Sequence, residues 1–198
     1  MDSLFFSESA RMLQSDSSLL NMPTTISSKS IYKGRIFDLR VDKIREGEVE
    51  YEREIVAHNG SAVIVPVFED MTVALVRQYR HAAGKYLLEI PAGTLELGED
   101  PRTGAIRELE EEIGVTAETV EKLCEFYISP GFLTEKMYVY LATGLTETSQ
   151  NLDADEFIEL ERLSFPDIFD RIRSGSIEDA KTIAGLMMAG PRFGYAFS

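Results

Sequence analysis

The stretch that most constrains this chain is GTLELGEDPRTGAIRELEEEIGV, from Gly93 to Val115. Asp100 supplies an N-cap, Pro101 suits the first helical position because no N–H is needed there, and Gly114 supplies a C-terminal stop. A helix is therefore expected from Pro101 to Ile113. At about 100° per residue, Glu108, Glu111 and Glu112 at i, i+3 and i+4 share one face, while Glu110 faces solvent. Three carboxylates gathered in this way repel, but the arrangement becomes favourable when a hard cation binds, because Mg²⁺ takes oxygen ligands from carboxylates and phosphates. ELEEE alone reads as a solvated acidic face that needs no metal. Such a face does not require the upstream Glu99, the Arg107 or the glycines, so the whole pattern favours a metal site.

Strand signals surround this helix. Ile31–Ile44 and Val49–Ala57 alternate apolar and polar residues on either side of a turn at Glu46-Gly47. Ser61–Phe68 and Thr72–Tyr79 flank Glu69-Asp70 and predict a hairpin whose first strand is buried on both faces, with Pro66 favouring an edge or bulge. Tyr86–Ile90, Val120–Ser129, Lys136–Thr143 and Phe157–Leu163 add strands, and Pro166–Arg173 and Ile177–Ala189 add helices. Thr146–Glu156 is an acidic loop of the kind that carries function. Residues 1–28 read as a Ser-rich, weakly structured extension, with Leu4, Phe5, Phe6, Leu13, Leu19 and Leu20 as docking groups in the alternative. Residues 29–198 then form one domain, a size that supports a sizeable core.

A formal charge of −14 excludes a broad attraction to nucleic acid or anionic membrane, so a small anionic substrate needs local cations or metal ions. Cys124 is the single cysteine, which rules out an intrachain disulfide and suits a core thiol in a reducing cytoplasm. No apolar run approaches the roughly 20 residues of a membrane span, and the first residues lack the basic segment of a secretory signal. The expected location is cytoplasmic.

Gly93, Glu99, Arg107, Glu108, Leu109, Glu111, Glu112, Gly114 and Val115 occupy every fixed position of the Nudix box, and the chain resembles that family of hydrolases. The resemblance implies an α/β fold, a Nudix α/β/α sandwich with a mixed β-sheet. It implies Glu108 and Glu112 as the main metal ligands, Glu111 as a third and the Ala92 backbone carbonyl as a fourth donor. Mg²⁺ is the implied cofactor, with Mn²⁺ as the alternative. Arg107 is expected to pair with Glu99 or Glu111 and hold the carboxylates in place.

SPGFLTE around Pro130, VRQYRHAAGKYLLEIPAG, DADEFIEL and DAKTIAGL resemble the ADP-ribose pyrophosphatase branch. The implied reaction is attack of water on one phosphorus of the diphosphate, which gives AMP and ribose 5-phosphate from ADP-ribose. Arg80 is the first candidate for the diphosphate or a ribose, because a guanidinium can donate two parallel hydrogen bonds to an anion; Arg77 is the weaker one. Glu135 suits ribose hydroxyls, and Tyr32 or Phe37 suits adenine stacking in a homodimer formed through the N-terminal strands. Relatives often carry a glutamate two residues before Glu156, where this chain has Ala154. Glu156 is therefore taken as the carboxylate that activates or orients water, with Asp153 and Asp155 as substitutes. His58 and His81 lack a nucleophile motif or metal spacing and receive no role. The rival readings are hydrolysis of another nucleoside diphosphate sugar and a nucleotide-binding sensor without turnover.

Overall fold

The structure, a computed structural model, describes residues 22–152 and 156–197. The chain divides into two compact units, one ending at Ala57 and the other beginning at His58. The first unit is an antiparallel meander of β1 (Thr24–Lys33), β2 (Asp38–Glu46) and β3 (Val49–Ala57). Gly47, with φ 60°, makes the predicted β2–β3 turn. The break within the predicted Ile31–Ile44 strand is closed by Gly34 N, which donates to Phe37 O at 3.1 Å and to Asp38 Oδ1 at 3.2 Å. β1 begins inside the segment read as an extension, because Thr24 to Ser28 pair with Arg45 to Asp42 of β2. The apolar residues from Leu4 to Leu20 lie outside the described residues.

The second unit is built on β4 (Ser61–Pro66), which is buried along its whole length. Its side chains alternate between two cores. Val63 and Val65 join Ile90, Val139, Phe165, Ile168, Ile177 and Leu186 on one face. Ala62 and Ile64 join Leu95, Ala105, Leu109, Ile113 and Tyr140 on the other. Helices thus cover β4 on both faces, which demands the near-continuous apolar run that the sequence shows. The sheet order is β7-β4-β9-β8, with β7 at Ala92–Thr94, β8 at Val115–Tyr127 and β9 at Lys136–Glu147. A second sheet has the order β10-β5-β6, formed by Ile158–Ser164, Thr72–Arg80 and Lys85–Glu89.

The expected β4–β5 hairpin is not formed. β4 runs parallel to β9 and antiparallel to β7, β5 pairs with β6 and β10, and a single Val67–Val73 bridge remains between the two segments. Parallel pairing with β9 leaves β4 apolar on both sides in the interior, a solution that local turn signals do not encode. Pro66 accepts this position because the β4–β7 pairing stops at Val63. Ile64 N donates to Pro91 O on the β7 side and Val67 N donates to Ala142 O on the β9 side, so alternation places the Pro66 nitrogen on the side where β7 has already ended.

Among the described residues, three α-helices complete the unit: α1 (Pro101–Glu108), α2 (Phe165–Arg173) and α3 (Ala180–Ala189). Asp100 caps α1 by accepting from Thr103 N at 3.0 Å, and Asp179 caps α3 by accepting from Thr182 N at 3.0 Å. The second cap is why α3 starts at Ala180 rather than Ile177. None of these helices is long and apolar enough to cross a membrane.

At Gly185, α3 packs tightly against Ile90 and β4. A Cβ there would lie 2.6 Å from Ile90 Cδ1 and 3.3 Å from Val65 Cγ2. Gly185→Val is expected to destabilise the chain by about 1–3 kcal/mol through overpacking, measured by urea unfolding; an unchanged midpoint would show that α3 can move away.

Candidate active site

The predicted box helix changes character where its chemistry begins. α1 ends at Glu108, and Leu109–Ile113 continue as a π turn closed by Gly114 at φ 69°. A π turn advances less per residue than the α-helix's about 100°. Four residues then come closer to a full turn, which stacks Glu112 on Glu108 and leaves Glu111 to one side. Such π turns occur often at functional sites.

Glu108 and Glu112 are 7% and 3% exposed. Burial raises the Glu108 carboxyl above its usual range. Burial, and then the neighbouring Glu108, push Glu112 up to about 8. Both also feel Glu156, so this residue of the acidic loop stands with the two box carboxylates. Asp153 and Asp155, and the departure at Ala154, lie outside the described residues.

Gly93 makes this crowding sterically feasible. β7 pairs Gly93 with Ala62, and a Cβ on Gly93 would lie 1.7 Å from Glu108 Oε1. The neighbouring Ala92 N donates to Glu112 Oε2 at 3.1 Å. Gly98, by contrast, has φ 82° with open space around a notional Cβ, so it serves the turn rather than a close approach.

Arg107 engages both partners expected of it and one more. Nε donates to Glu99 Oε1 at 3.2 Å, and Nη1 donates to Glu111 Oε2 at 2.9 Å and to Glu108 Oε1 at 2.6 Å. The hydrogen bond from Arg107 outweighs burial at Glu99 and holds that carboxyl below its usual range. Glu111 thereby leans away from Glu112 toward a separate hollow that it shares with Thr116 and Asn151.

A cleft of about 420 Å³ opens beside Ala92 and Gly93. Arg80, Glu135 and Glu156 line it, so three of the sequence candidates meet at one place. Glu135 accepts from Ser61 Oγ at 2.7 Å. Ile128 and Met137 supply apolar wall, and the start of α3 brings in Asp179 and Lys181. Arg80 is not a free fork: its Nε and Nη2 donate to Glu89 Oε1 and Oε2 at 2.8 and 2.7 Å. Burial works to raise the Glu89 carboxyl, yet Arg80 and Lys181 hold it below its usual range.

Arg77 belongs to the opposite face of β5 from Arg80, where it pairs with Glu159 at 3.0 Å and covers the Tyr86 ring at 4.5 Å. Tyr32 and Phe37 are exposed in the first unit with ring centroids 5.9 Å apart. Sequence reasoning missed Glu89, Lys181, Asp179 and Ser61. The available signal was a glutamate inside the apolar run YLLEI, because a buried charge demands a partner.

The donor set suits a hard divalent cation: two stacked buried carboxylates, a backbone carbonyl at Ala92 that is not used by the Glu112 contact, and a glycine that admits close approach. Among the described residues no three His, Cys, Asp or Glu side chains already form a metal cage. Glu108 and Glu111 are turned to Arg107, and Glu112 to Ala92 N, so the carboxylates are held by internal donors that a cation would replace.

Residues 58–186 match the model of the NUDIX domain. The chain is 40% identical over 163 residues to a methanol dehydrogenase activator of Bacillus methanolicus, covering 80% of this chain and 88% of the relative. It is 39% identical over 162 residues to an ADP-ribose pyrophosphatase of Bacillus subtilis, covering 80% and 87%. The crystal structure of an ADP compounds hydrolase shares the fold with a TM-score of 0.79 at 23% identity, covering 89% of this chain and 97% of that one.

The raised pKa of Glu112 predicts a pH dependence. Between about 4.5 and 8 the folded chain keeps a proton that the unfolded chain releases, so Glu112 makes the metal-free protein less stable as pH rises through that window. In EDTA, Glu112→Gln should narrow the fall in melting temperature between pH 5 and pH 8.5 by about 5 °C. Parallel pH profiles for parent and variant would mean that Glu112 ionises normally.

Proposed function

The chain belongs to the Nudix family, and from that premise we propose that it is a Mg²⁺-dependent pyrophosphatase that hydrolyses ADP-ribose to AMP and ribose 5-phosphate. Nudix hydrolases use divalent metal ions, and the buried Glu108–Glu112 pair against Gly93 is the observation that carries the reading. Two anions stacked in a low-dielectric site are a liability unless a cation joins them. The substrate is taken from the relative named as an ADP-ribose pyrophosphatase. The name of the other relative describes an effect on a dehydrogenase rather than a bond that is broken.

In this reading Glu108, Glu112 and the Ala92 carbonyl hold Mg²⁺, or Mn²⁺ in its place, and Glu111 assists from the side. Bound there, the cation supplies charge neutralisation at the phosphoryl oxygens and makes water a better nucleophile near neutral pH. Arg107 keeps Glu108 and Glu111 from drifting apart while the cation is absent. Arg80 meets the diphosphate from across the cleft, and Glu135, already hydrogen-bonded to Ser61, offers its second oxygen to a ribose hydroxyl. Glu156 orients the attacking water or accepts its proton. In this reading water attacks phosphorus directly, without a covalent enzyme intermediate.

A homodimer through the N-terminal strands belongs to the same proposal, as does a reducing cytoplasmic setting, which a single cysteine suits. β1 is an edge strand exposed at every residue, and Ile26, Ile31, Tyr32, Ile36 and Phe37 leave an apolar surface on the first unit. Light scattering after size-exclusion chromatography should give twice the chain mass; a monomer at micromolar concentration would refute the dimer.

A substrate panel under one Mg²⁺ condition tests the chemistry. ADP-ribose should show a higher kcat/KM than GDP-mannose, UDP-glucose or a nucleoside triphosphate, with AMP and ribose 5-phosphate as products. Glu112→Gln should fold and lose about a hundredfold or more in turnover. A GDP- or UDP-sugar ranked first overturns the substrate, and activity of the variant within twofold of the parent removes Glu112 from the site.

A further inference from the structure

Glu89 is 1% exposed, a carboxylate at the end of β6 in a position that otherwise calls for an apolar side chain. A buried charge persists when partners satisfy it. Two cations do so here. Arg80 takes both oxygens through Nε and Nη2, and Lys181 Nζ takes Oε2. Lys181 comes from the first turn of α3 and also meets Asp179 Oδ2 at 3.0 Å. Thr182, beside it, accepts from Ile90 N at 2.9 Å through Oγ1, so α3 is stitched to the end of β6 at consecutive residues.

Arg80, Glu89 and Lys181 together carry one net positive charge, which Asp179 offsets through Lys181, so the four ion-paired groups are neutral and burial decides which of their charges faces the cleft. The Lys181 side chain is 9% exposed and that of Arg80 is 40% exposed. Of the two cations, the guanidinium is therefore the one that faces the cleft. Its orientation is determined as well. Glu89 consumes the Nε–Nη2 edge, two of the five N–H donors, and among the described residues the Arg80 side chain donates to nothing else. The Nη1–Nη2 end remains, and it can present two parallel N–H groups to phosphoryl oxygens.

We propose that Glu89 and Lys181 are positioning residues for the diphosphate: Glu89 holds Arg80 end-on to the cleft, and Lys181 cancels the Glu89 charge so that Arg80 acts on the substrate as a full cation. The inference rests on the assignment of Arg80 to the diphosphate, and it deepens that reading by naming what makes Arg80 effective. Without Lys181, Arg80 and Glu89 form a neutral pair in a cleft that also contains Asp179, Glu135 and Glu156. An anion would then approach a wall of net negative charge. Without the Glu89 charge, the cation persists but its direction is lost.

Two substitutions therefore have different consequences, which a purely structural role does not produce. ADP is the probe, because every pyrophosphatase reading requires a nucleoside diphosphate to bind, and its titration by calorimetry does not depend on which substrate is turned over. Lys181→Met, matched in length and uncharged, should weaken ADP about tenfold, and Lys181→Arg should restore it to within threefold of the parent. Glu89→Gln should keep ADP affinity within threefold while lowering kcat about tenfold on whichever compound the parent cleaves best. Lys181→Met that binds ADP within twofold of the parent overturns the proposal, as does a Glu89→Gln variant with parental kcat. If Glu89→Gln fails to fold, the lysine pair decides alone. Circular dichroism and melting temperature of each variant separate lost packing from lost charge. A parent that binds ADP but cleaves none of the tested compounds would sink the enzymatic reading and leave the lysine comparison intact.

Discussion

The backbone of β7 and the carboxylate of Glu108 compete for nearly the same volume, and the second unit is organised around letting them share it. The absence of a Cβ at Gly93 allows this, since one would lie 1.7 Å from Glu108 Oε1. Gly104 makes a similar concession one turn earlier on the same face of α1, where a Cβ would lie 2.6 Å from Leu95 Cδ2. With both glycines, α1 can press against β4 and β7 and bury Leu109, Ala105 and Ile113 in one core. The apolar burial that fastens the helix thus also draws Glu108 and Glu112 out of water.

That desolvation is the link between packing and chemistry. A carboxylate in water gains little from a cation because both are already solvated; two carboxylates raised in pKa by burial, and then by neighbouring carboxylates, gain a great deal. Arg107 keeps the pair ordered by spanning Glu99, Glu108 and Glu111. The loop after β9 contributes in a different way. Thr148 N, the Gln150 side chain and Asn151 N donate to the carbonyls of Gly114, Glu112 and Glu111, which satisfies the C-terminal end of the π turn. The same loop leads to Glu156, so the segment that completes the helix also carries a site carboxylate.

Across the cleft the problem is reversed. The chain has a formal charge of −14, and the proposed substrate is an anion. Attraction must therefore come from a local arrangement, with few exposed cations and with acidic neighbours that are neutralised or kept apart. The Arg80–Glu89–Lys181 triad supplies such an arrangement from β5, β6 and α3. Lys181 lies 92 residues beyond Glu89, and the geometry of the triad depends on α3 being anchored at Ile90 and filled against Val65 and Val139 around Gly185.

The sequence by itself determined the features whose physics is local. The cap at Asp100, the stop at Gly114 and the two-faced burial of Ser61–Pro66 follow from hydrogen-bond geometry and periodicity within a few residues, and each is present, whereas of the three carboxylates expected on one helix face the π turn stacks only Glu108 and Glu112. The gathering of Arg80, Glu135 and Glu156 beside Ala92 was legible through resemblance rather than through spacing. Tertiary structure decided the rest. β4 took β9 as a parallel partner instead of closing a hairpin with β5, because an all-apolar strand gains most in the interior, and turn residues between neighbours carry no information about that gain. The π turn that stacks Glu112 on Glu108 depends on the packing of Leu109 and Ile113 and on carbonyl partners contributed by the loop after β9. Glu89 and Lys181 were invisible as a pair because a buried charge announces only that it needs a partner. Which partner it finds is decided by where the folded chain brings β6 and α3 together.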